Sequence, residues 1–212
     1  MALHVKALGS SNTHEFDGFY AIYSTAFPLS EQKSRDALLA MQHASFYTIY
    51  LAYSDEKIVG FCIMYHPDNK DFFLLEYMAI DEKERGIGLG SMLLKSSIDQ
   101  LFQTHGTRAL LIEIDSPEKS SNEQKIREKR EQFYRHLGAL KIDPFDYILP
   151  LQSSEEAPPM ELLVYQPNLH KIPKETLQSW LEKLYANVYG CSKNDSRIAK
   201  MLDHVPPILN LI

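Results

Sequence analysis

Three glycines at alternate positions are the residues of this chain best suited to a defined chemistry. Gly86, Gly88 and Gly90 follow an apolar run, Phe72–Ile80, and a charged turn, Asp81–Glu84. An amphipathic segment comes directly afterwards, so the pattern predicts a strand, a tight loop and a helix. Glycine permits positive φ and close approach of a ligand to the main chain. Because the first N–H groups of a helix lack intrahelical partners and its dipole favours negative charge, this layout predicts an anion site.

The spacing of the glycines narrows the choice of anion. The dinucleotide pattern G-x-G-x-x-G fails, because its last glycine falls on Ser91 or Leu93. The pattern G-x-x-x-x-G-K-[ST] fails too, because no lysine directly follows these glycines. The stretch instead reads R-x-x-G-x-G, and its arginine, Arg85, is placed to add a charge-assisted contact. The sequence therefore predicts a phosphate or pyrophosphate ligand at this loop.

This stretch closely resembles the acetyl-CoA-binding motif of the GNAT superfamily of acyl-CoA-dependent N-acetyltransferases. Residues 133–139, Phe-Tyr-Arg-His-Leu-Gly-Ala, resemble the F-Y-x-x-L-G-[FA] segment of the same superfamily. The two motifs stand in the expected order, with a predicted strand at Ala109–Ile114 between them. The resemblance implies a mixed α/β (α+β) fold of GNAT type. Such a fold has a mixed central sheet with an antiparallel meander and a splayed strand pair, and helices on both faces.

The resemblance covers residues 1–165, which we expect to form a GNAT acetyltransferase domain. Residues 166–212 are expected to form a C-terminal helix and tail packed on the same domain. The tail, residues 190–212, has little pattern, and its apolar end must dock on the body or on a partner. We assign no function to the tail.

Apolar spacing, turn residues and capping residues predict the individual elements. The predicted elements are a strand His4–Leu8, a helix Glu15–Phe27, a helix capped by Ser30 and ending near Met41, a meander of strands Tyr47–Tyr53, Ile58–Tyr65 and Phe72–Ile80, a helix Leu89–Gln103 with Gly106 as C-cap, a strand Ala109–Ile114, a helix Gln124–Leu137, a strand Met160–Tyr165 and a helix Pro173–Tyr189.

The reaction implied by the resemblance is attack of an amine on the thioester of acetyl-CoA, the cosubstrate. In this family the strand before the glycine loop pairs through its backbone with the pantetheine arm and polarises the thioester carbonyl. The predicted cosubstrate-binding residues are Met78, Ala79, Ile80, Arg85, Gly86, Ile87, Gly88, Leu89, Gly90 and Ser91.

Two residues are candidates for proton transfer. Family members commonly have a tyrosine at the position of Tyr134, and a phenol with a pKa near ~10 can protonate the leaving thiolate. Packing against Phe133, or a hydrogen bond without proton transfer, is the alternative. Glu76 is the candidate base. It interrupts an apolar strand and, by strand alternation, shares a face with Met78, so apolar neighbours should make its carboxylate a stronger base. Pairing with an arginine or exposure to solvent would explain that carboxylate equally well, and Glu113 and Asp115 are weaker candidates.

The first helix supplies candidates for contact with the acceptor. The family's first two helices help to form the acceptor site, so the resemblance makes Tyr20, Tyr23 and Phe27 candidate substrate-binding residues. Aromatic residues at helical spacing more often pack in the core, and that interpretation stays open for each of them.

Composition excludes several other classes of function. A net charge of −6 argues against broad nucleic-acid binding, and the scattered histidines predict no metal site. The two cysteines form no evident disulfide framework, and the absence of a signal-like or membrane-spanning segment favours the cytoplasm. The acceptor is an unidentified small-molecule or peptide amine. The alternatives are acetylation of a protein N-terminus or lysine, and a non-catalytic acyl-CoA-binding regulatory module. A homodimer remains open.

Overall fold

The chain folds into two compact units, Met1–Arg108 and Ala109–Ile212. The structure is a computed structural model, and it describes residues 3–67, 71–117, 123–150 and 159–212. Both units combine strands and helices, so the mixed α/β class expected from the sequence is confirmed. The proposed domain boundary at residue 165 stays a prediction.

The first unit begins with a strand and a helix pair and continues with a meander that leads to the glycine loop. Its elements are β1 (Leu3–Ala7), α1 (Thr13–Ala26), a short 3-10 helix (Leu29–Glu31), α2 (Arg35–His43), β2 (Tyr47–Ser54), β3 (Lys57–Tyr65), β4 (Phe72–Ile80), a second 3-10 helix (Glu82–Glu84) and α3 (Leu89–His105).

Strands β1 to β4 pair in chain order, and each pair is antiparallel. The predicted meander is confirmed within one residue at every strand boundary. The hairpin between β2 and β3 turns through Asp55, which has a φ of 54°. Asparagine and aspartate tolerate this left-handed conformation better than most residues. The register of β3 on β4 shifts between Ile63 and Met64, which marks a β-bulge in the last strand before the loop.

The start of α2 differs from the prediction. Ser34, and not Ser30, caps this helix, because its side chain accepts a hydrogen bond from the Ala37 N–H at 3.2 Å. Ser30 lies instead in the first 3-10 helix, which follows Pro28. The side chain of Gln32 donates to backbone carbonyls at the end of α1, at 3.0 and 2.7 Å, and holds the connection extended before α2 begins.

Helices α1 and α2 cover one apolar face of this sheet. Phe16, Phe19 and Tyr23 of α1 are fully buried and meet β3 at Phe61, with the Phe19 and Phe61 rings 4.7 Å apart edge to face. Tertiary packing of this aromatic face supplies more stability than helix propensity alone. The packing fixes α1 against the strands that precede the glycine loop.

The second unit contains five strands and three helices among its described residues. Its elements are β5 (Ala109–Asp115), α4 (Gln124–His136), β6 (Leu140–Asp143), β7 (Met160–Tyr165), β8 (Lys171–Pro173), α5 (Lys174–Asn187), α6 (Ser196–Leu202) and β9 (Ile208–Leu211).

The apolar end of the chain is the centre strand of a three-stranded ladder. β9 pairs antiparallel with both β6 and β8, while β7 pairs antiparallel with β5 and β6. The sequence predicts neither α6 nor β9, because short elements carry too few residues for a periodic pattern. Residues 208–211 therefore dock inside this unit, through backbone pairing with strands on both sides.

Candidate active site

The glycine loop adopts the conformation that its sequence predicts. Gly86 and Gly88 have φ values of 89° and 86°, in the region that only glycine occupies readily. A Cβ built on either residue would meet no atom within 4 Å, so the surface above them is open. Gly88 is the N-cap of α3 and no side chain caps that helix. The N–H groups of the first turn therefore remain available to an anion.

Arg85 folds back toward the strand that precedes the loop. Its Nε donates to the Ile80 carbonyl at 3.0 Å, which uses one of the five N–H donors of the guanidinium. The Asp81 N–H bonds to Val59 of β3, so by alternation Ile80 and Met78 direct their backbone groups to the opposite edge of β4. Contact of this edge with a pantetheine arm stays a prediction.

A cavity of about 190 Å³ lies between the end of α1 and this loop. Its lining comes from the last turns of α1, the end of β4 and the charged turn that follows. The lining residues are Ile22, Thr25, Ala26, Ile80, Asp81, Glu82 and Arg85. The carboxylates of the turn make this cavity a poor phosphate site, so the uncapped helix end is the better anion site.

Glu76 is the extra residue of the β-bulge in β4. Ile63 lies opposite Tyr77 and Met64 opposite Leu75, which leaves Glu76 without a partner residue on β3. A bulge turns its extra side chain away from simple alternation. Glu76 consequently contacts the connection between α1 and α2, as its neighbour Tyr77 does, so simple strand alternation does not hold at Glu76.

The Glu76 carboxylate is buried and pairs with a lysine. Its side chain is 8% exposed, and its Oε1 lies 3.0 Å from Nζ of Lys33. Burial first, and then the nearby Glu76 carboxylate, raises the pKa of Tyr47, so this phenol stays protonated beside it. The sequence gives no signal for Lys33 or Tyr47 here, because both contacts depend on the bulge and on the path of the α1–α2 connection.

The candidate substrate-binding aromatics form one cluster with Tyr77. Tyr23 is fully buried, and its ring lies 5.2 Å from that of Tyr77, while Phe27 lies 5.1 Å from Tyr77. The Tyr23 hydroxyl accepts a hydrogen bond from the Lys33 N–H at 2.7 Å. Tyr20 and Phe27 are partly buried against the core. Core packing thus accounts for Tyr23, and contact of these three residues with a substrate stays a prediction.

Tyr134 belongs to the second unit, near the end of α4. Its ring lies 5.1 Å from that of Phe133, edge to face, and the residue is half-buried. Its carbonyl accepts hydrogen bonds from the Leu137 and Ala139 N–H groups, at 3.0 and 3.1 Å, around Gly138, whose φ is 96°. This glycine C-cap sets the end of the helix that carries the tyrosine.

The two weaker carboxylate candidates already have strong partners in the second unit. Glu113 accepts hydrogen bonds from the hydroxyls of Tyr147 and Tyr189, the latter at 2.7 Å. Asp115 pairs with Arg130 of α4 at 2.8 Å. Both carboxylates therefore have evident structural roles.

Comparison with solved structures shows the fold. A GNAT-family protein from Bacteroides thetaiotaomicron superimposes with a TM-score of 0.70 at 20% identity, covering 89% of this chain and 99% of that one. The ribosomal-protein-S18-alanine N-acetyltransferase from Escherichia coli gives 0.56 at 19% identity, covering 80% and 99%. An aminoglycoside 6′-N-acetyltransferase complexed with coenzyme A gives 0.62 at 14% identity, covering 77% and 96%. The GNAT-type fold expected from the sequence is therefore confirmed.

The family is shown by the sequence itself. Residues 16–138, more than half of the chain, match the family described as the acetyltransferase (GNAT) family. The chain therefore belongs to that family, whose members are generally acyltransferases that use acetyl-CoA. No curated protein matches the sequence.

Two further properties concern the described residues alone. Over 3–67, 71–117, 123–150 and 159–212, no helix has both the length and the hydropathy needed to cross a membrane. In the same residues, no group of three or more histidine, cysteine, aspartate or glutamate side chains is arranged to hold a metal ion.

Proposed function

We propose that this protein is an N-acetyltransferase that moves the acetyl group of acetyl-CoA to a primary amine of a small-molecule or peptide acceptor. The observation that carries the proposal is the pair of left-handed glycines, Gly86 and Gly88, before the uncapped start of α3. Open main-chain N–H groups at a helix end suit a pyrophosphate. The net charge of −6 means that binding must depend on these local donors and on Arg85.

The proposed reaction is a direct attack. The amine nitrogen bonds to the thioester carbonyl carbon, the C–S bond breaks, and the thiolate leaves. Glu76, directly or through water, takes a proton from the amine, and the Tyr134 phenol donates one to the departing sulfur. Backbone groups of Met78 and Ile80, directed to the edge of β4 away from β3, hold the pantetheine arm and polarise the carbonyl.

The first test is acetyl-CoA binding measured by calorimetry on the wild type and on Gly88→Val. Valine at a φ of 86° is strained, and its side chain stands where the pyrophosphate must approach, so we expect affinity to fall by about a hundredfold or more. Gly190→Val is the matched control, because Gly190 also has a positive φ, 66°, with no atom within 4 Å of a built Cβ. We expect this control to bind normally. Unchanged binding by Gly88→Val would refute the loop as the pyrophosphate site.

A screen of amines and peptides, read by release of free CoA, then separates transfer from binding alone. The panel includes small primary amines, amino acids, and peptides with a free N-terminus or lysine. Release of CoA that depends on one class of acceptor supports an acetyltransferase of that class. Tight binding of acetyl-CoA without release on any acceptor would instead indicate a non-catalytic acyl-CoA-binding module.

A further inference from the structure

The two oxygens of the Glu76 carboxylate have different surroundings. Oε1 is paired with Lys33 at 3.0 Å, whereas Oε2 is buried and has no hydrogen-bond partner among the residues that the structure describes. A buried polar atom without a partner costs free energy, and most such atoms in native proteins are satisfied. The protonated Tyr47 phenol lies beside this carboxylate, and Oε2 can accept a further hydrogen bond, such as one from the N–H of an acceptor amine.

Lys33 is fixed in place by the connection that carries it. Its backbone N–H donates to the hydroxyl of Tyr23 at 2.7 Å. Two residues earlier, the Glu31 carbonyl accepts a hydrogen bond from the Tyr77 hydroxyl at 2.8 Å. The side chain of Lys33 is still 32% exposed. One of its three N–H donors serves Glu76, so the ammonium can also bind a ligand from the exposed side.

These positions set the charge that an acceptor meets. An amine that donates to Oε2 lies within a few ångströms of the Lys33 ammonium. Lys33 offsets the attraction that the Glu76 carboxylate alone would have for a cation. Compared with an unpaired carboxylate, the pair therefore weakens the preference for polyamine-like acceptors and favours the neutral, reactive form of the amine. An anionic group beside the amine gains a charge-assisted contact instead.

We propose that Glu76 and Lys33 together select acceptors in which the primary amine lies next to a carboxylate, as in a free amino acid. The amine donates to Oε2 of Glu76, and the carboxylate of the acceptor pairs with Lys33. Lys33 is then a specificity-determining residue. This inference rests on the proposed acetyl transfer and adds the class of acceptor to it.

The test compares acceptors that keep one side chain and amine while the carboxylate is neutralised or removed. Leucine, phenylalanine and serine are each supplied as the free acid, the carboxamide and the decarboxylated amine, and kcat/KM is measured by CoA release. The wild type is expected to prefer the free acids by about tenfold or more, the gain from one charge-assisted hydrogen bond. Lys33→Gln should lose that preference, and Lys33→Arg, which keeps the cation, should retain most of it.

Controls separate specificity from folding and from cosubstrate binding. Lys200→Gln makes the same change at an exposed lysine of α6 and should leave the ratio unchanged. Acetyl-CoA calorimetry of Lys33→Gln should match the wild type. Thermal unfolding should show a folded protein with a lower melting temperature, because the buried Glu76 carboxylate loses its cation. Equal rates for acids and amides in the wild type, or a preference that survives in Lys33→Gln, would overturn the inference while acetyl transfer to other amines stands. Failure of every amine to release CoA would overturn the proposed function as well.

Discussion

At the scale of single residues, the proposed reaction requires a proton donor for the departing thiolate. A protonated phenol can pass its proton to the sulfur. Tyr134 is carried near the end of α4, which the Gly138 turn terminates, so the position of its ring is set by a well-defined helix end. Its assignment as the acid stays a proposal.

Replacing Tyr134 by phenylalanine tests that assignment. Because the change removes only the hydroxyl, we expect acetyl-CoA to bind with unchanged affinity, while kcat falls by about a hundredfold, a typical contribution of a general acid. Calorimetry and single-turnover kinetics measure the two quantities. Tyr50→Phe removes a buried hydroxyl from β2 and is the matched control. If Tyr134→Phe keeps the wild-type kcat, the tyrosine is not the acid.

At the scale of elements, the stability of the short helix α6 depends on its N-cap residue, Asp195. The Asp195 side chain accepts a hydrogen bond from the Arg197 N–H at 3.0 Å and contacts the Arg197 guanidinium at 2.9 and 2.8 Å. The Arg197 guanidinium holds the pKa of Asp195 below its ordinary value. The stabilisation is therefore present above the pKa of the unfolded chain, about 4, and is lost as the pH falls below it.

Asp195→Ala is expected to lower the free energy of unfolding by about 1 kcal/mol at neutral pH, because the cap is lost. Urea unfolding, followed by the fluorescence of Trp180 on the neighbouring α5, measures the change. Asp195→Asn keeps an oxygen that can cap the helix, so it should recover much of the loss. An alanine variant as stable as the wild type would show that Asp195 does not hold α6 in place.

Elements with strong local signals are the ones that the sequence predicts well. The helix from Leu89 to His105 has an apolar stripe and a glycine C-cap at Gly106, and the structure confirms both. Ser30 misleads because Ser34 is an equally good cap four residues later. The direction of the Glu76 side chain could not be predicted, because the position of a β-bulge depends on the register in which two strands pair. Its partner Lys33 is set by tertiary packing alone.

At the scale of the whole molecule, buried tyrosines make stability depend on alkaline pH. Burial raises the pKa of Tyr50 in the first unit, and of Tyr147 and Tyr185 in the second, well above 10. Above about pH 10 the unfolded chain releases these protons and the folded chain keeps them, so stability falls as the pH rises. Each such tyrosine adds a slope of about 1.4 kcal/mol per pH unit.

Urea unfolding of the second unit between pH 8 and pH 11, read from Trp180, tests this expectation. The free energy of unfolding should be flat at first and should fall steeply above about pH 10. Tyr147→Phe removes one titrating group, so its slope should be shallower by about 1.4 kcal/mol per pH unit, even if its stability at pH 8 is lower. A wild-type profile that stays flat to pH 11 would contradict a buried, protonated Tyr147.

The position of β9 between β6 and β8 has a consequence for the synthesis of the chain. β6 emerges from the ribosome long before residues 208–211, and until they arrive one of its edges has no strand to pair with. The first unit, by contrast, has all its strands by Ile80 and its last helix by His105. The first unit can therefore fold during translation, whereas the second carries an open strand edge, prone to pairing with other chains, until residues 208–211 have emerged.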